Sequence, residues 1–487
     1  MDYLELVKEG NMAKIQEAFA SQKPSFSIEP AEAISQYKVT EHDIFNESLR
    51  PKKTIVKDSG QRNVNDEPIM VTAQVDVARV GLPFQKIIVN RRVGFMLSSP
   101  VYNEPIYVTG GDGETQLVKL IERIQNDNKI DYKNKEIARR MMSELECAEL
   151  WYFVENINPS LEIKFTLKMK IVSPALGDTL FPAFDETGDL VAFARAYKLK
   201  EKGKDIEHYD IYLPDALYKF VKRGEWKLDD QLETPNPIPN PVGKIMVIYY
   251  SQPEPEWADV QSMITRLETI ISNHADTNDY FGSPILTVIG EIQGYAQKGE
   301  TGKILQLTKD SQANYLALAS EPASIKMEED TLERYIYAMS QTPDITFEQM
   351  KGLGNLSGVA LKLMFMDAHM AVKNKEEVFG IGLQRRLNLL KACIGKVINT
   401  ALAKEADTVQ IKPVLTPYLP ENVTEEIDNL INALNGNIIS QETAVEQNPL
   451  IGDSKTEKDR IKEDSLSDVA GMRTKDKSQV VIPPETI

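Results

Sequence analysis

The longest helical pattern in the sequence runs from about Ser357 to Lys404 and contains Gly380 and Gly382 near its middle. At 1.5 Å per residue, a helix of that length spans roughly 70 Å, far more than the average helix of a globular protein. The two glycines predict a bend. An element this long leaves room for contacts between subunits.

The stretch that leads into this helix, Gln341 to Met366, combines Pro343 with Gly352, Gly354 and Asn355. Proline cannot continue a helix, and glycine allows many backbone conformations, so the stretch predicts a flexible loop between two strong helices. The apolar run Leu363 to Met366, with Met370, is interpreted as core packing because Met commonly fills gaps in protein interiors.

Length and composition place the chain among soluble globular proteins with several structural regions. It has 487 residues, of which 42% are hydrophobic and 26% are charged. A single core rarely grows to this size, so two to four regions are expected. The 73 acidic and 56 basic residues give a net charge of −17, without a long basic cluster. That balance argues against binding nucleic acid by phosphate neutralisation, although DNA could still pass along the surface.

The cysteines, the N-terminal residues and the apolar runs indicate in which compartment the protein is expected. Cys147 and Cys393 lie far apart within segments that read as helices, as expected of buried thiols in a reducing compartment. The N-terminal residues lack a signal-peptide pattern, and no apolar run approaches the ~18 residues of a membrane span. These patterns predict a cytosolic product without a membrane-spanning helix.

The first half of the chain changes from helical to strand-like patterns. A helix is predicted from Pro83 to before Pro100, and further helices are predicted to reach about Glu149. From Trp151 to Tyr250, alternating apolar residues separated by turn sequences predict an antiparallel, strand-rich unit. The four prolines between Thr234 and Lys244 predict an extended loop.

The second half begins with two amphipathic helices that flank about 45 residues of short strands and turns. The apolar stripe of the first is Trp257, Val260, Ile264, Leu267 and Ile271, and that of the second is Leu332, Ile336 and Met339. Asp330 is a plausible N-cap for the second helix because Glu333 completes a capping box. Two such helices can run antiparallel and carry the insert at their far end. A ring of copies would pack these stems side by side and bury both stripes.

Motifs that carry chemistry are missing. Lys298 to Ile304 resembles a phosphate-binding loop, but Gly299 and Gly302 enclose two residues instead of four, so a hairpin turn is the better interpretation. The four histidines are scattered, and no nucleophile elbow occurs. The sequence therefore predicts no catalytic residues, no metal site, no cofactor and no enzymatic activity.

Two segments resemble the portal proteins of tailed bacteriophages. Those proteins read Ser-Gly-x-Ala-Leu at the start of a long helix, followed by Gly-Leu-x-Arg-Arg-Leu. The matching residues here are Ser357, Gly358, Ala360, Leu361, Gly382, Leu383, Arg385, Arg386 and Leu387. The segment from Gly436 to Asp453 resembles the family's C-terminal Gly-x-Ile-Ser-x-Glu-Thr-Ala motif. An N-terminal helix of the family is also similar to the segment before Pro100, although Ser98 and Ser99 replace its common Gly-Lys.

The resemblance implies an α+β portal-protein fold with an α/β wing, a two-helix stem, a small α/β clip, a tunnel loop, a long bent helix and a helical crown. The implied regions are 1–256 (N-terminal region and wing), 257–281 (stem helix), 282–328 (clip), 329–341 (stem helix), 342–356 (tunnel loop), 357–419 (long bent wing helix and strand) and 420–487 (crown and charged tail). The implied subunit-packing residues are the two stem stripes, and Gly352, Gly354, Gly380 and Gly382 are the implied hinges.

The resemblance also implies a function without catalysis. About twelve subunits would form a ring at one capsid vertex, through which double-stranded DNA enters during packaging and leaves during ejection. The implied partners are the terminase large subunit, the head-to-tail adaptor, the major capsid protein and the scaffold. The implied locations are the virion and, during assembly, the host cytoplasm.

The resemblance implies a tunnel loop at the DNA channel that contains Thr342, Asp344, Thr346, Glu348, Lys351 and Asn355. Roughly twelve copies at −17 give a charge near −200, which repels phosphate and lets DNA slide. The hypothesis for Lys351, the cation of this loop, is a transient contact with phosphate, and the alternative is a solvent-exposed loop lysine without a role. The alternatives are another capsid or head-to-tail structural protein, and a cytosolic enzyme with an unrecognised site.

Overall fold

A computed structural model describes residues 2–106, 116–155, 164–232, 234–281, 285–289, 292–294, 306–307, 312–316, 322–345, 362–418 and 423–463 of the chain. Helices and antiparallel strands both form large parts of it, as the sequence predicts. The chain divides into two compact units, Met1–Pro343 with Ala368–Tyr418 and Asp344–Asp367 with Leu419–Ile487.

The elements follow in chain order. The first part contains α1 (Tyr3–Glu9), α2 (Met12–Ala20), α3 (Pro30–Tyr37), β1 (Lys53–Arg62), β2 (Pro68–Val75), α4 (Phe84–Met96), β3 (Tyr102–Ile106), α5 (Gln116–Asp127), α6 (Ile130–Glu144), β4 (Glu146–Glu155), β5 (Phe165–Val172), β6 (Thr179–Phe184), β7 (Leu190–Glu201), β8 (Lys204–Tyr212), β9 (Ala216–Lys222), β10 (Trp226–Leu228), β11 (Ile238–Pro239) and β12 (Val247–Ser251). The second part contains α7 (Gln261–Phe281), β13 (Ile285–Ile289), β14 (Ile292–Gly294), β15 (Gln306–Leu307), β16 (Gln312–Leu316), α8 (Pro322–Met339), α9 (Met366–Cys393), α10 (Ala403–Thr408), β17 (Gln410–Val414), α11 (Val423–Asn435) and α12 (Gln441–Glu446).

Two antiparallel sheets form the body of the first unit and confirm the strand-rich region that the sequence predicts. The larger has the order β10-β9-β8-β7-β6, with β11 also paired to β9, and the smaller has the order β12-β4-β5. α1 and α2 cover one face of the larger sheet and bury Phe19 against Tyr209. The proline-rich segment is a loop apart from the two-residue strand β11.

The helices after α4 end earlier than the sequence predicts. α6 ends at Glu144, Leu145 takes a left-handed conformation with φ 71°, and β4 begins at Glu146. Cys147 therefore lies in a strand and not in a helix, although it is buried and unpaired like Cys393. The prediction was wrong because the glutamates favour a helix locally, whereas pairing with β12 and β5 fixes the strand.

A hairpin of β1 and β2 is absent from the sequence prediction, which placed only short helices before residue 80. The two strands pair in antiparallel register from Lys53 opposite Val75 to Arg62 opposite Pro68. Most of its side chains are exposed, so the period-two pattern of a half-buried strand is not visible in the sequence.

The two helices around the insert are present, but the second begins earlier than predicted. α8 starts at Pro322, so Asp330 lies inside the helix and is not its N-cap. β13 pairs with β16, and β14 pairs with β15, both in antiparallel fashion. The predicted turn at Lys298 to Ile304 lies outside the described residues, between β14 and β15.

The long helical pattern is broken in the structure. α9 continues through both glycines, but its α-helical geometry ends at Cys393, and a π-helical turn follows from Ile394 to Ile398. Asn399 is extended, and a short 3₁₀ turn then leads to α10. The prediction of one continuous helix that reaches Lys404 was therefore wrong. Beyond β17, which pairs with β3, the described part of the chain continues with α11 and α12.

Candidate functional site

The C-terminal end of α8 continues into a rigid turn. Ile336 and Ser340 are buried, and the amides of Ser340, Gln341 and Thr342 donate to the carbonyls of Ile336, Ala338 and Tyr337. Gln341 is left-handed, with φ 49°, which turns the chain away from the helix axis. Gln341 and Thr342 therefore belong to this turn, and the predicted loop residues from Thr346 to Asn355 lie outside the described residues.

Two arginines of α4 hold this turn from outside. Arg92 Nη2 donates to the carbonyl of Ser340 at 2.7 Å, and Arg91 Nη1 donates to the carbonyl of Pro343. The Arg91 guanidinium also lies 5.1 Å from the ring centroid of Tyr337. Each arginine supplies a charged donor to one carbonyl just after the end of α8, where the carbonyls have no partner within the helix. We call Arg91, Arg92 and these two carbonyls the loop clamp.

The loop clamp is supported by a buried ionic cluster. Glu256 lies 3.3 Å from Arg92 Nε and also pairs with Lys375 of α9, and its side chain is only 4% exposed. Burial lowers the pKa of Arg92, and the charge of Glu256 acts in the opposite direction. The cluster thus joins three parts of the chain that are far apart in sequence, namely α4, the residues before α7, and α9.

Of the six loop residues in the prediction, the structure describes two. Thr342 is only 5% exposed, and its hydroxyl donates to the carbonyl of Ser340, so it belongs to the rigid turn. The place of Thr342 in a DNA-channel loop stays a prediction, for a residue that is buried within this chain. Asp344 is half-buried. Thr346, Glu348, Lys351, Asn355 and the predicted hinges Gly352 and Gly354 lie outside the described residues.

The two glycines of α9 differ in their surroundings. A Cβ atom built on Gly382 would lie 2.0 Å from Cε1 of Tyr250, whereas one built on Gly380 would meet nothing within 4 Å. Gly382 is therefore required for close packing of α9 on β12. The sequence prediction assigned this glycine to a hinge. The hinge at Gly380 stays a prediction.

A fully buried polar cluster fixes α9 one turn beyond Gly382. Arg386 pairs with Glu149 of β4 and donates to the amide oxygen of Asn134 at 2.7 Å. Tyr250 and Trp151 each donate a further hydrogen bond to Glu149, at 2.7 and 2.9 Å. Every oxygen and nitrogen of a buried pair needs such partners, because an unpaired buried charge is costly. The cluster locks α9 to the smaller sheet.

The predicted stem stripes are largely internal to the chain. Trp257, Val260, Ile264 and Leu267 are at most 3% exposed, and Ile336 is fully buried, so these residues form subunit core and cannot form a surface between subunits. Ile271 and Leu332 are half-buried, and Met339 is 56% exposed. A role in subunit packing stays a prediction for these last three residues.

The face of α7 next to its apolar stripe carries a contact that the sequence analysis missed. Glu268, Ser272 and Asp276, spaced four residues apart, accept hydrogen bonds from alternate amides of an extended segment. The three donors are Leu82, Val80 and Ala78, at 2.7, 2.9 and 2.6 Å. The spacing was visible in the sequence, but the segment that it binds lies almost 200 residues away.

The Met-rich start of α9 is exposed, contrary to the core packing that was predicted. Leu363, Met364, Met366 and Met370 are 49–63% exposed, and only Phe365 is buried. Ile381 is 55% exposed. Met366, Met370 and Ile381 are separated by four and eleven residues, so they lie on one face of the helix. We call these three residues the α9 stripe.

The family model "Phage portal protein, SPP1 Gp6-like" matches residues 31–469. The chain belongs to this portal protein family. A curated relative is the portal protein of Bacillus phage SPP1, which is 20% identical over 447 residues and covers 88% of this chain and 82% of its own. A solved structure, "Neck of native GTA particle computed with C12 symmetry", matches 74% of this chain and 87% of its own chain at 10% identity, with a TM-score of 0.35.

The family match confirms the resemblance drawn from the residues Ser357 to Leu387 and Gly436 to Asp453. Two further observations concern the described residues of this portal-family chain. No helix among them could span a membrane. No group of three or more His, Cys, Asp or Glu side chains among them could hold a metal ion.

Proposed function

We propose that about twelve copies of this chain form a ring at one vertex of a phage capsid, and that double-stranded DNA enters and leaves through the central channel. The ring docks the terminase large subunit during packaging and the head-to-tail adaptor afterwards, while the major capsid protein and the scaffold surround it. It assembles in the host cytoplasm, becomes part of the virion and performs no catalysis. The family match over residues 31–469 carries this proposal.

Exposed apolar residues on two helices support assembly into a ring. On α8, Met327, Tyr335 and Met339 are 67%, 41% and 56% exposed, and the residues of the α9 stripe are also exposed. Single exposed apolar residues are common, but residues repeated along one helix face form a continuous surface that a partner can bury. A closed ring buries the same surface on every copy, which stabilises each without leaving an open end.

The loop clamp supports a role in guiding DNA. A segment that touches moving DNA needs a firm attachment, so that its motion is confined to the segment itself. Arg91 and Arg92 provide one at the end of α8. Lys351, which lies outside the described residues, is the proposed transient phosphate contact, and Lys351→Ala should weaken packaging or DNA retention if this role is correct.

Electron microscopy of the purified full-length protein tests the ring directly. Rings of about twelve subunits with an open channel are the expected result. Small particles of one subunit in the absence of other phage proteins would argue against self-assembly, and adding scaffold and capsid protein would then show whether assembly requires them. A closed particle without a channel would contradict the proposed passage of DNA.

A further inference from the structure

A cavity of about 650 Å³ lies between the two sheets of the first unit, and none of its lining residues belongs to the loop clamp. Its volume is in the range of small-molecule sites in proteins. Aromatic side chains from both sheets line it, together with the proline-rich loop between β10 and β12. The aromatic residues are Trp151, Tyr152, Phe153, Phe165, Tyr197 and Tyr212.

One carboxylate oxygen in the cavity lacks a hydrogen-bond partner among the described residues. Asp210 lies on β8, directly opposite Arg195 on β7 and Lys219 on β9. It is 3% exposed, and its Oδ2 accepts from the Tyr197 hydroxyl at 3.2 Å. Its Oδ1 has no hydrogen-bond partner among the described residues. A buried carboxylate oxygen without a donor is costly, so this site is suited to a ligand that donates a hydrogen bond.

The charges around Asp210 favour an anion. Arg195 is already committed to Asp178, with N–O distances of 2.7 and 2.6 Å. Lys170 and Lys219 also line the cavity, and neither side chain makes an ion pair or a side-chain hydrogen bond within the described part of the chain. Burial raises the pKa of Asp210 and the charge of Lys219 lowers it, so Lys219 already interacts with this carboxylate. Lys170 and Lys219 together still outnumber Asp210, and this excess of positive charge in the cavity lining attracts a ligand of negative charge.

We propose that this cavity binds a small aromatic anion that carries an N–H or O–H donor. Its negative group binds Lys170 and Lys219, its donor binds Oδ1 of Asp210, and its ring packs on the aromatic walls of the cavity. Stacked and edge-to-face contacts with aromatic side chains stabilise such a ring beyond its buried area. The site is independent of the DNA channel and does not rest on ring formation.

Two fluorescent probes that differ by one charge test the proposal on the full-length protein. 8-Anilinonaphthalene-1-sulfonate has an aromatic body, an N–H group and a sulfonate, and N-phenyl-1-naphthylamine is its neutral counterpart. We expect the anion to bind at one site per chain and to bind more tightly than the neutral amine. Lys219→Gln should weaken anion binding about tenfold, the loss expected for one charge-assisted hydrogen bond.

Matched variants make the outcome decisive. Lys222 lies on the same strand as Lys219, but it pairs with Glu207 and does not line the cavity. Lys222→Gln should therefore leave anion binding unchanged. Asp210→Asn keeps an acceptor but removes the negative charge, and should tighten anion binding. Lys170→Gln provides a second test should Lys219→Gln fold poorly by circular dichroism. Equal affinity for both probes, or unchanged anion affinity in the Lys170 and Lys219 variants, would overturn the proposal.

Discussion

Gly382 sets how closely α9 approaches the smaller sheet, and its role can be separated from that of a hinge. Gly382→Ala would force the ring of Tyr250 to move, and overpacking of this kind costs about 1–3 kcal/mol of the free energy of unfolding. Gly380→Ala meets open space in the same helix and should stabilise the protein by about 0.5–1 kcal/mol. Urea unfolding of both variants measures the difference. Similar losses at both positions would favour the hinge interpretation instead.

Glu146 makes stability depend on pH at the scale of a single carboxylate. Burial raises its pKa to about 7, although Tyr249 donates a hydrogen bond to it at 2.7 Å. The folded chain therefore holds a proton that the unfolded chain releases near pH 4.5, and the free energy of unfolding falls as pH rises from about 4.5 to 7.

Glu146→Gln should remove this part of the pH dependence, because the amide keeps an acceptor for Tyr249 and cannot ionise. Through this residue, the free energy of unfolding of the wild type should fall by about 3 kcal/mol between pH 4.5 and 8. In the variant this contribution should be missing. Unfolding at several pH values measures the slope. Glu155→Gln, at the exposed end of β4, is the control. An unchanged slope in Glu146→Gln would contradict the assignment.

At the scale of elements, the loop clamp should decide how often the end of α8 opens. Arg92→Leu leaves the carbonyl of Ser340 without its charged donor, which costs about 1–3 kcal/mol locally. We expect at least tenfold faster hydrogen exchange at the amides of Ser340 and Thr342, measured by mass spectrometry. Lys86→Leu, two turns earlier on α4, is the control. Equal exchange in both variants would show that Arg92 does not hold this turn.

The success of sequence prediction also differed between elements for a physical reason. α7, the core of α9, and the sheet strands follow a regular apolar period, which the sequence carries locally. The end of α6 and the start of α8 have no such mark. Leu145 ends α6 because β4 is drawn into the sheet by β12 and β5, and that pairing is not visible in the residues around it.

At the scale of the whole molecule, the α9 stripe should matter for assembly and little for the fold of one subunit. Ile381→Asp replaces a half-exposed apolar side chain with a charge, so the subunit should fold normally while ring contacts weaken. Size-exclusion chromatography with light scattering should show a shift from rings to small species. Leu199→Asp, on β7 and 49% exposed, is the control. Unchanged rings in Ile381→Asp would exclude this face as a subunit contact.

The sequence by itself determined the family, the α+β class and much of the order of helices and strands, because those depend on local periodicity and on motifs within short segments. It did not show the hairpin of β1 and β2 or the start of β4. Only the tertiary structure decided which apolar residues are core and which are exposed. Trp257 is buried and Met370 is exposed, although both lie in apolar helical patterns. The reason is that burial depends on contacts such as Arg386 with Glu149, whose partners lie 237 residues apart, and no local pattern encodes that distance.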